Sequence, residues 1–320
     1  MNLEDIKIEK DLKIVFMGTP DFAVPILQAL IDNYGVRAVV TQPDKVVGRD
    51  AKIIFSPIKE LAISNNILVL QPKKVREEYQ EIIDLEPDII VTCAYGQIIP
   101  KKLLDAPRLG CINVHASLLP KLRGGAPIHR AIINGYAKTG VTIMYMNEGM
   151  DEGDIISTKE VLIGDNDTTE ALHDKLSLIG RDLLLETLPS IINGTNNRIK
   201  QEESLVTYAP IIKREDEKIN FSKTKREVHN LIRGLNSFPG AYTTFNGKIL
   251  KIWESRISDK FPNGMDGEIT TLYQDGFGVK VSNGEVVITK VQPEGKKKMS
   301  ARDFINGELN KENIIGKVLE

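Results

Sequence analysis

The apolar run Gly110-Cys111-Ile112 leads into Asn113-Val114-His115-Ala116-Ser117-Leu118-Leu119-Pro120. Side chains alternate along a strand, so Asn113 and His115 share one face and Val114 takes the other. An amide donor beside an imidazole at a strand end can hold a carbonyl oxygen and move a proton. Downstream, the turn Gly149-Met150-Asp151-Glu152-Gly153 carries a carboxylate. Asp151 would accept a hydrogen bond from His115, fix its tautomer and stabilise its charged form. The trio suggests acyl-type chemistry. Plainer readings stand beside it: Asn113 satisfying turn backbone, His115 packed in a core, Asp151 capping Gly153. No Ser or Cys lies in a Gly-x-Ser-x-Gly context, and the four histidines lack ligand-spaced partners. Direct transfer without a covalent intermediate or a metal is therefore expected.

The first half alternates short apolar runs with helical patterns, as βαβ units do. Strands are expected at 13–18, 36–41, 67–70, 88–92, 110–115 and 139–146, and helices at 20–32, 75–85, 125–135 and 168–192. The run Asp88-Ile89-Ile90-Val91-Thr92 is nearly all apolar, as a central parallel strand covered on both faces must be. Open α/β sheets bind ligands beyond the carboxyl ends of their strands, which is where Asn113 and His115 would sit. The turn Gly18-Thr19-Pro20-Asp21-Phe22 is neither GxGxxG nor a Walker loop, so a dinucleotide or ATP site is disfavoured. It is either a plain tight turn or a helix N-terminus that could greet an anion.

Beyond residue 192 the pattern changes. Turn residues crowd 193–207, a helix is expected at 223–235, and short alternating runs follow, separated by Asn246-Gly247, Pro262-Asn263-Gly264, Asp275-Gly276 and Asn283-Gly284. Such spacing indicates a small barrel. The expected organisation is a catalytic domain at 1–192, a linker at 193–218 and a C-terminal domain at 219–320. With 320 residues, two domains are the natural division. The net charge of −2 hides an asymmetry. Residues 1–210 hold 23 Lys and Arg against 29 Asp and Glu; residues 211–320 hold 19 against 15. A basic tail on an acidic body favours a polyanionic partner. Cys93 and Cys111 lie in apolar runs and read as inert core thiols. Neither a leader-like apolar segment nor a bilayer-length run is present, so a cytoplasmic protein with no membrane partner is expected.

The chain resembles the folate-dependent formyltransferases along nearly its whole length. The resemblance rests on Phe16-Met17-Gly18-Thr19-Pro20-Asp21-Phe22-Ala23, Thr41-Gln42-Pro43-Asp44-Lys45, Ala94-Tyr95-Gly96, the 113–120 run, Arg123-Gly124-Gly125-Ala126-Pro127-Ile128 and Gly149-Met150-Asp151-Glu152-Gly153-Asp154. It continues through His229-Asn230-Leu231-Ile232-Arg233, Pro239-Gly240-Ala241 and Gln292-Pro293-Glu294-Gly295-Lys296-Lys297. It implies a Rossmann-like, mostly parallel α/β domain followed by an OB-like small β-barrel. It also implies 10-formyltetrahydrofolate as donor and the amine of methionyl initiator tRNA as acceptor, with Asn113, His115 and Asp151 at the reacting carbon. The folate would lie beside Ile90, Tyr95, Gly96, Gln97, Ser117, Leu118, Leu119, Pro120, Met144 and Gly149.

The acceptor would be held by the long connection 41–55, through Lys45, Arg49 and Lys52, and by Arg123, Lys296, Lys297 and Lys298. Arg49 matches best the arginine that the family inserts into the acceptor arm, although Lys45 stands where relatives often carry arginine. The plainer account of both basic segments is a solvated surface. A monomer is expected. The competing functions are a folate-dependent formyltransferase or hydrolase acting on a small substrate, and a non-enzymatic RNA-binding protein.

Overall fold

Residues 12–48, 52–309 and 313–320 are described by a computed structural model of the chain. Arg49 lies outside them, as do residues 1–10. The chain divides into two compact units. The first holds the residues through Gly125 together with Thr139–Val161 and His173–Ala209; the second holds Ala126–Lys138, Leu162–Leu172 and Pro210–Glu320. The division therefore falls at 209/210 and is not a simple linear cut. Segment 193–209, read from sequence as the start of a linker, is packed in the first unit. Ile199 and Ile155 exchange backbone hydrogen bonds of 2.8 and 2.9 Å.

In the first unit, β1 (Ile14–Gly18), α1 (Val24–Asn33) and β2 (Ala38–Val40) open a βαβ pattern. The ribbon β3 (Lys45–Val47) and β4 (Lys52–Ile54) follows, then α2 (Pro57–Ser64), β5 (Leu68–Leu70), α3 (Gln80–Ile83), β6 (Ile89–Cys93), α4 (Lys101–Leu104) and β7 (Cys111–His115). After α5 (Pro127–Ile133), which belongs to the second unit, come β8 (Lys138–Tyr145), β9 (Ile155–Leu162) and the long α6 (Thr169–Ile192). The seven-stranded sheet has the order β5-β2-β1-β6-β7-β8-β9. The first five are parallel; β8 runs antiparallel to β7. Every residue of β1 and β6 is buried, which explains their unbroken apolar character. Strand order reverses between β1 and β6, and ligands of open α/β sheets bind at such switch points.

Two expectations change here. The apolar positions of 75–85 suggest one amphipathic helix, but only Gln80–Ile83 is helical. Upstream the chain closes a separate turn, with Glu77 and Glu78 N–H both donating to Lys74 O (2.9 and 3.0 Å). The connection 41–55 contains an antiparallel ribbon, with Lys45 opposite Ile54 and Val46 opposite Ile53. Val46 and Ile53 are exposed.

The second unit places α5 against α7 (Lys225–Gly234), where a Cβ at Gly234 would meet Ile133 Cγ1 at 2.6 Å. Thr224 caps α7 reciprocally with Glu227. The strands β10 (Ala241–Phe245), β11 (Lys248–Ser258), β12 (Ile269–Leu272), β13 (Phe277–Val281), β14 (Gly284–Pro293) and β15 (Met299–Ser300), with α8 (Ala301–Leu309), complete it. Their sheet has the order β10-β11-β14-β13-β12, with β15 on β14. The last residues bridge its two edges: Thr244 N–H donates to Glu320 O (2.8 Å) and Ile269 N–H to Lys317 O (2.8 Å). Phe277, Val279, Ile288, Phe304 and Leu235 pack in its core. Phe221, Phe245 and Trp253 are buried too, whereas Phe238 is exposed.

Candidate active site

Strand β7 delivers the two side chains that alternation places together. Val114 points toward α6, where a Cβ at Gly180 would come within 3.0 Å of Val114 Cγ1. That helix covers one face and leaves Asn113 and His115 to the other. Asn113 pairs in register with Thr92 of β6 and Met144 of β8. Thr92 Oγ1 donates to Asn113 Oδ1 (2.9 Å), and no acceptor among the described residues takes Asn113 Nδ2. The amide thus keeps its donor for a ligand.

His115 is 6% exposed, and its Nε2 lies 3.1 Å from Leu122 O. A carbonyl oxygen only accepts, so Nε2 carries a proton in this contact. The other ring nitrogen, Nδ1, faces Asp151 Oδ2 at 3.7 Å. That separation exceeds a hydrogen bond, but catalytic contacts often tighten only when substrate is bound. Asp151 has φ +52°, in the left-handed region where Asp is over-represented among non-glycine residues. Gly124 N–H donates to its Oδ2 (2.8 Å). Two glycines make the turn possible. Gly124 has φ +118°, and at Gly153 a Cβ would stand 1.9 Å from Tyr145 O.

The structure thus gathers Asn113, His115 and Asp151 at the carboxyl end of β7, within one unit. It also shows two residues that spacing does not reveal, Thr92 and Gln201. Gln201 Nε2 donates to the carbonyls of Asp151 (2.7 Å) and Gly153 (2.9 Å). Thr92 acts through sheet register and Gln201 across about 50 positions of chain, so no local pattern marks either.

The expected folate residues divide. Tyr95, Gly96 and Gln97 form the loop after β6. The Tyr95 carbonyl accepts from Gln42 Nε2 (3.0 Å), and Gln97 Nε2 donates to Gln42 Oε1 (3.2 Å). Burial pushes the Tyr95 phenol up to about 12. Leu118 and Pro120 are half-buried, and Gly149 is exposed. Ile90, Ser117 and Met144 keep almost no accessible surface. Ile90 belongs to the core with Val15 and Cys111; Ser117 Oγ donates to Lys121 O (2.7 Å). Met144 packs with Leu119, itself buried, and Ile155. The amides after Pro20 are also engaged: Phe22 N–H meets Asp21 Oδ1 (3.0 Å) and Ala23 N–H meets Pro20 O (3.1 Å). An acidic side chain at that helix start disfavours an anion there.

Of the expected nucleic-acid contacts, Lys45, Lys52, Lys296, Lys297 and Lys298 are exposed. Lys298 Nζ sits 3.3 Å from the centre of the Trp253 ring. Arg123 differs from these lysines. It is 2% exposed, with Nε on Gln201 Oε1 (3.0 Å) and Nη2 on Glu203 Oε1 (2.9 Å). These contacts turn its guanidinium toward Gln201 and Glu203. Cys93 and Cys111 are buried thiols; burial raises both, Cys111 to about 12, which suppresses the nucleophilic thiolate. Among the described residues no group of three or more His, Cys, Asp or Glu could hold a metal ion, and no helix is long and apolar enough to cross a membrane.

A family model described as formyl transferase matches residues 12–188, and one described as formyl transferase, C-terminal domain, matches 211–309. The methionyl-tRNA formyltransferase of Macrococcus caseolyticus is 51% identical over 306 residues, covering 95% of this chain and 97% of its own. Those of Bacillus licheniformis and Bacillus subtilis are 54% and 52% identical, each across 92% of this chain and 95% and 94% of their own. Among solved structures, the sugar 3N-formyltransferase WlaRD aligns with a TM-score of 0.67 at 25% identity, covering 89% of this chain and 99% of its own. The N-formyltransferase of Helicobacter canadensis aligns at 0.68 and 25%, covering 88% and 99%. HypX of Aquifex aeolicus, at 17% identity and a TM-score of 0.63, shares the fold over 94% of this chain and 48% of its own. The likeness runs through both units and past both ends of the Asn113, His115 and Asp151 constellation, and this chain belongs to the methionyl-tRNA formyltransferase family.

Proposed function

We propose that the chain moves the formyl group of 10-formyltetrahydrofolate to the amino group of methionyl initiator tRNA. The observation that carries this reading is the trio at the end of β7, in a chain that matches named methionyl-tRNA formyltransferases over more than nine-tenths of its length. The structures of WlaRD and the Helicobacter canadensis enzyme were determined with 5-N-formyl-THF and folinic acid, which supports a folate donor beside the same fold. Asn113 fits such a ligand, because its Nδ2 has no acceptor among the described residues.

The free amine attacks the formyl carbon, so a C–N bond forms and negative charge gathers on the formyl oxygen. Asn113 Nδ2–H donates to that oxygen. The C–N10 bond then breaks, N10 takes the electron pair, and the proton lost by the attacking nitrogen ends on N10. Asp151 and His115 Nδ1 relay that proton. One oxyanion donor contributes roughly 3 kcal/mol of transition-state stabilisation. An α-amino group has a pKa of about 8, so a useful fraction is neutral near pH 7.

Residues 1–192 are assigned to catalysis and 219–320 to tRNA binding, in a monomeric, cytoplasmic enzyme. The exposed Lys45 and Lys52 of the β3–β4 ribbon serve the acceptor arm, while Lys296, Lys297 and Lys298 contact phosphates. Phosphate contacts position a nucleic acid without identifying it. The test is formyl transfer from 10-formyltetrahydrofolate to methionyl initiator tRNA, run beside methionyl elongator tRNA and amino-sugar nucleotides. Formylation of the initiator species alone is expected. Transfer only to the small amines, or donor hydrolysis with no acceptor dependence, would overturn the reading.

A further inference from the structure

Segment 199–209 grips the His115–Asp151 pair from several sides. Thr207 Oγ1 accepts Leu122 N–H (2.9 Å), and Leu122 O is the group that faces His115 Nε2. Thr207 O accepts Arg123 N–H (2.9 Å), and Ala209 N–H donates to Arg123 O (2.7 Å). These bonds fix the peptide leading to Gly124, whose N–H meets Asp151 Oδ2. Gln201 completes the grip by holding the carbonyls of Asp151 and Gly153 through Nε2 while its Oε1 accepts from Arg123 Nε. Its amide has one workable orientation. Flipped, it would set an oxygen against two carbonyls and an NH2 against a guanidinium, which can only donate.

We propose that Gln201 is a positioning residue for formyl transfer: clamped by buried Arg123, it holds the left-handed Asp151 turn and so sets the Asp151–His115 separation. The inference rests on the reaction proposed above. Neither Gln201 nor Arg123 touches the reacting atoms in this role. Their effect passes through Asp151, and displacement of a catalytic group by about 1 Å can cost about 100-fold in rate.

The test compares the parent with Gln201→Ala and Gln201→Glu. The second is nearly isosteric and keeps an acceptor for Arg123 while removing both donors. Steady-state kinetics gives kcat and KM for each substrate, and 15N-histidine labelling reads the ring nitrogens of only four histidines. The expected result is a fall in kcat of about 10- to 100-fold with both KM values within about twofold. The ring signals of His115 should move while those of His129, His173 and His229 stay. A kcat within about twofold of the parent, or unmoved His115 signals, would overturn the inference. Failure of both variants to fold would assign Gln201 a structural role and overturn it too. Failure of the proposed reaction is separable, since the parent alone reports on it and the ring signals require no turnover.

Discussion

Thr92 and Asn113 stand opposite each other on β6 and β7, and the Thr92 hydroxyl lies 2.9 Å from Asn113 Oδ1. Of the acceptors within reach of that one hydroxyl proton, Asn113 Oδ1 is nearer than Ile112 O and Met146 Sδ (both 3.1 Å). Oδ1 is occupied by a donor, so the NH2 group is the end left to stabilise an oxyanion. Thr92→Val keeps the shape of the side chain and removes the donor, which lets the amide turn over. Formyl transfer should fall by about 10-fold with little change in thermal stability, checked by single-turnover kinetics beside a melting curve.

Asp151→Asn separates charge from geometry. Asn tolerates the left-handed backbone and retains an oxygen for Gly124 N–H, but it cannot act as a carboxylate toward His115. The rate should drop by about 100-fold or more while folding is preserved. A near-parental kcat would show that the carboxylate takes no part in proton movement.

The C-terminal lysines make an electrostatic prediction. If Lys296 and Lys297 each neutralise a phosphate, replacing either by Ala should weaken tRNA binding and make the slope of log K against log salt shallower by about 1. The measurement is a salt titration of tRNA affinity. Unchanged slopes would reduce this turn to a solvated surface.

His229 gives the second unit a pH response. Burial holds its pKa below the usual 6.5, with Arg233 and Arg226 adding to the effect. The ring is placed as a neutral tautomer, Nε2 toward Asp165 O (3.3 Å) and Nδ1 toward Ser255 Oγ (2.9 Å). Below pH 6.5 the unfolded chain binds a proton here that the folded chain does not. Stability should therefore decline as pH falls through that value, and hold above it. Thermal unfolding of the parent and His229→Gln between about pH 7.5 and about pH 5.5 checks this, with a flatter dependence expected in the variant.

Much of the fold was legible because strand alternation and buried parallel strands leave local marks. Asn113 and His115 needed only alternation to be placed together, and the apolar runs of β1 and β6 announced a sheet covered on both faces. The helix expected at 75–85 is confined to Gln80–Ile83, and the residues before it close a separate turn, with Glu77 and Glu78 N–H both on Lys74 O. Arg123 shows the limit of reading charge: in sequence it is one more basic residue, in space a buried partner of Gln201 and Glu203. Thr92 and Gln201 were illegible for a related reason. Their partners are set by sheet register and by a distant segment folding back, neither of which composition or periodicity records.

The central claim is that the Asn113 amide and the His115 imidazole, set on one face of β7, serve formyl transfer together, the amide by donating to the oxyanion and the imidazole by relaying the proton with Asp151. Single-turnover transfer from 10-formyltetrahydrofolate to methionyl initiator tRNA by Asn113→Ala and His115→Ala tests it most directly. Each variant should bind both substrates and slow the transfer step by about 100-fold or more. Transfer at the parental rate in both variants would contradict the account.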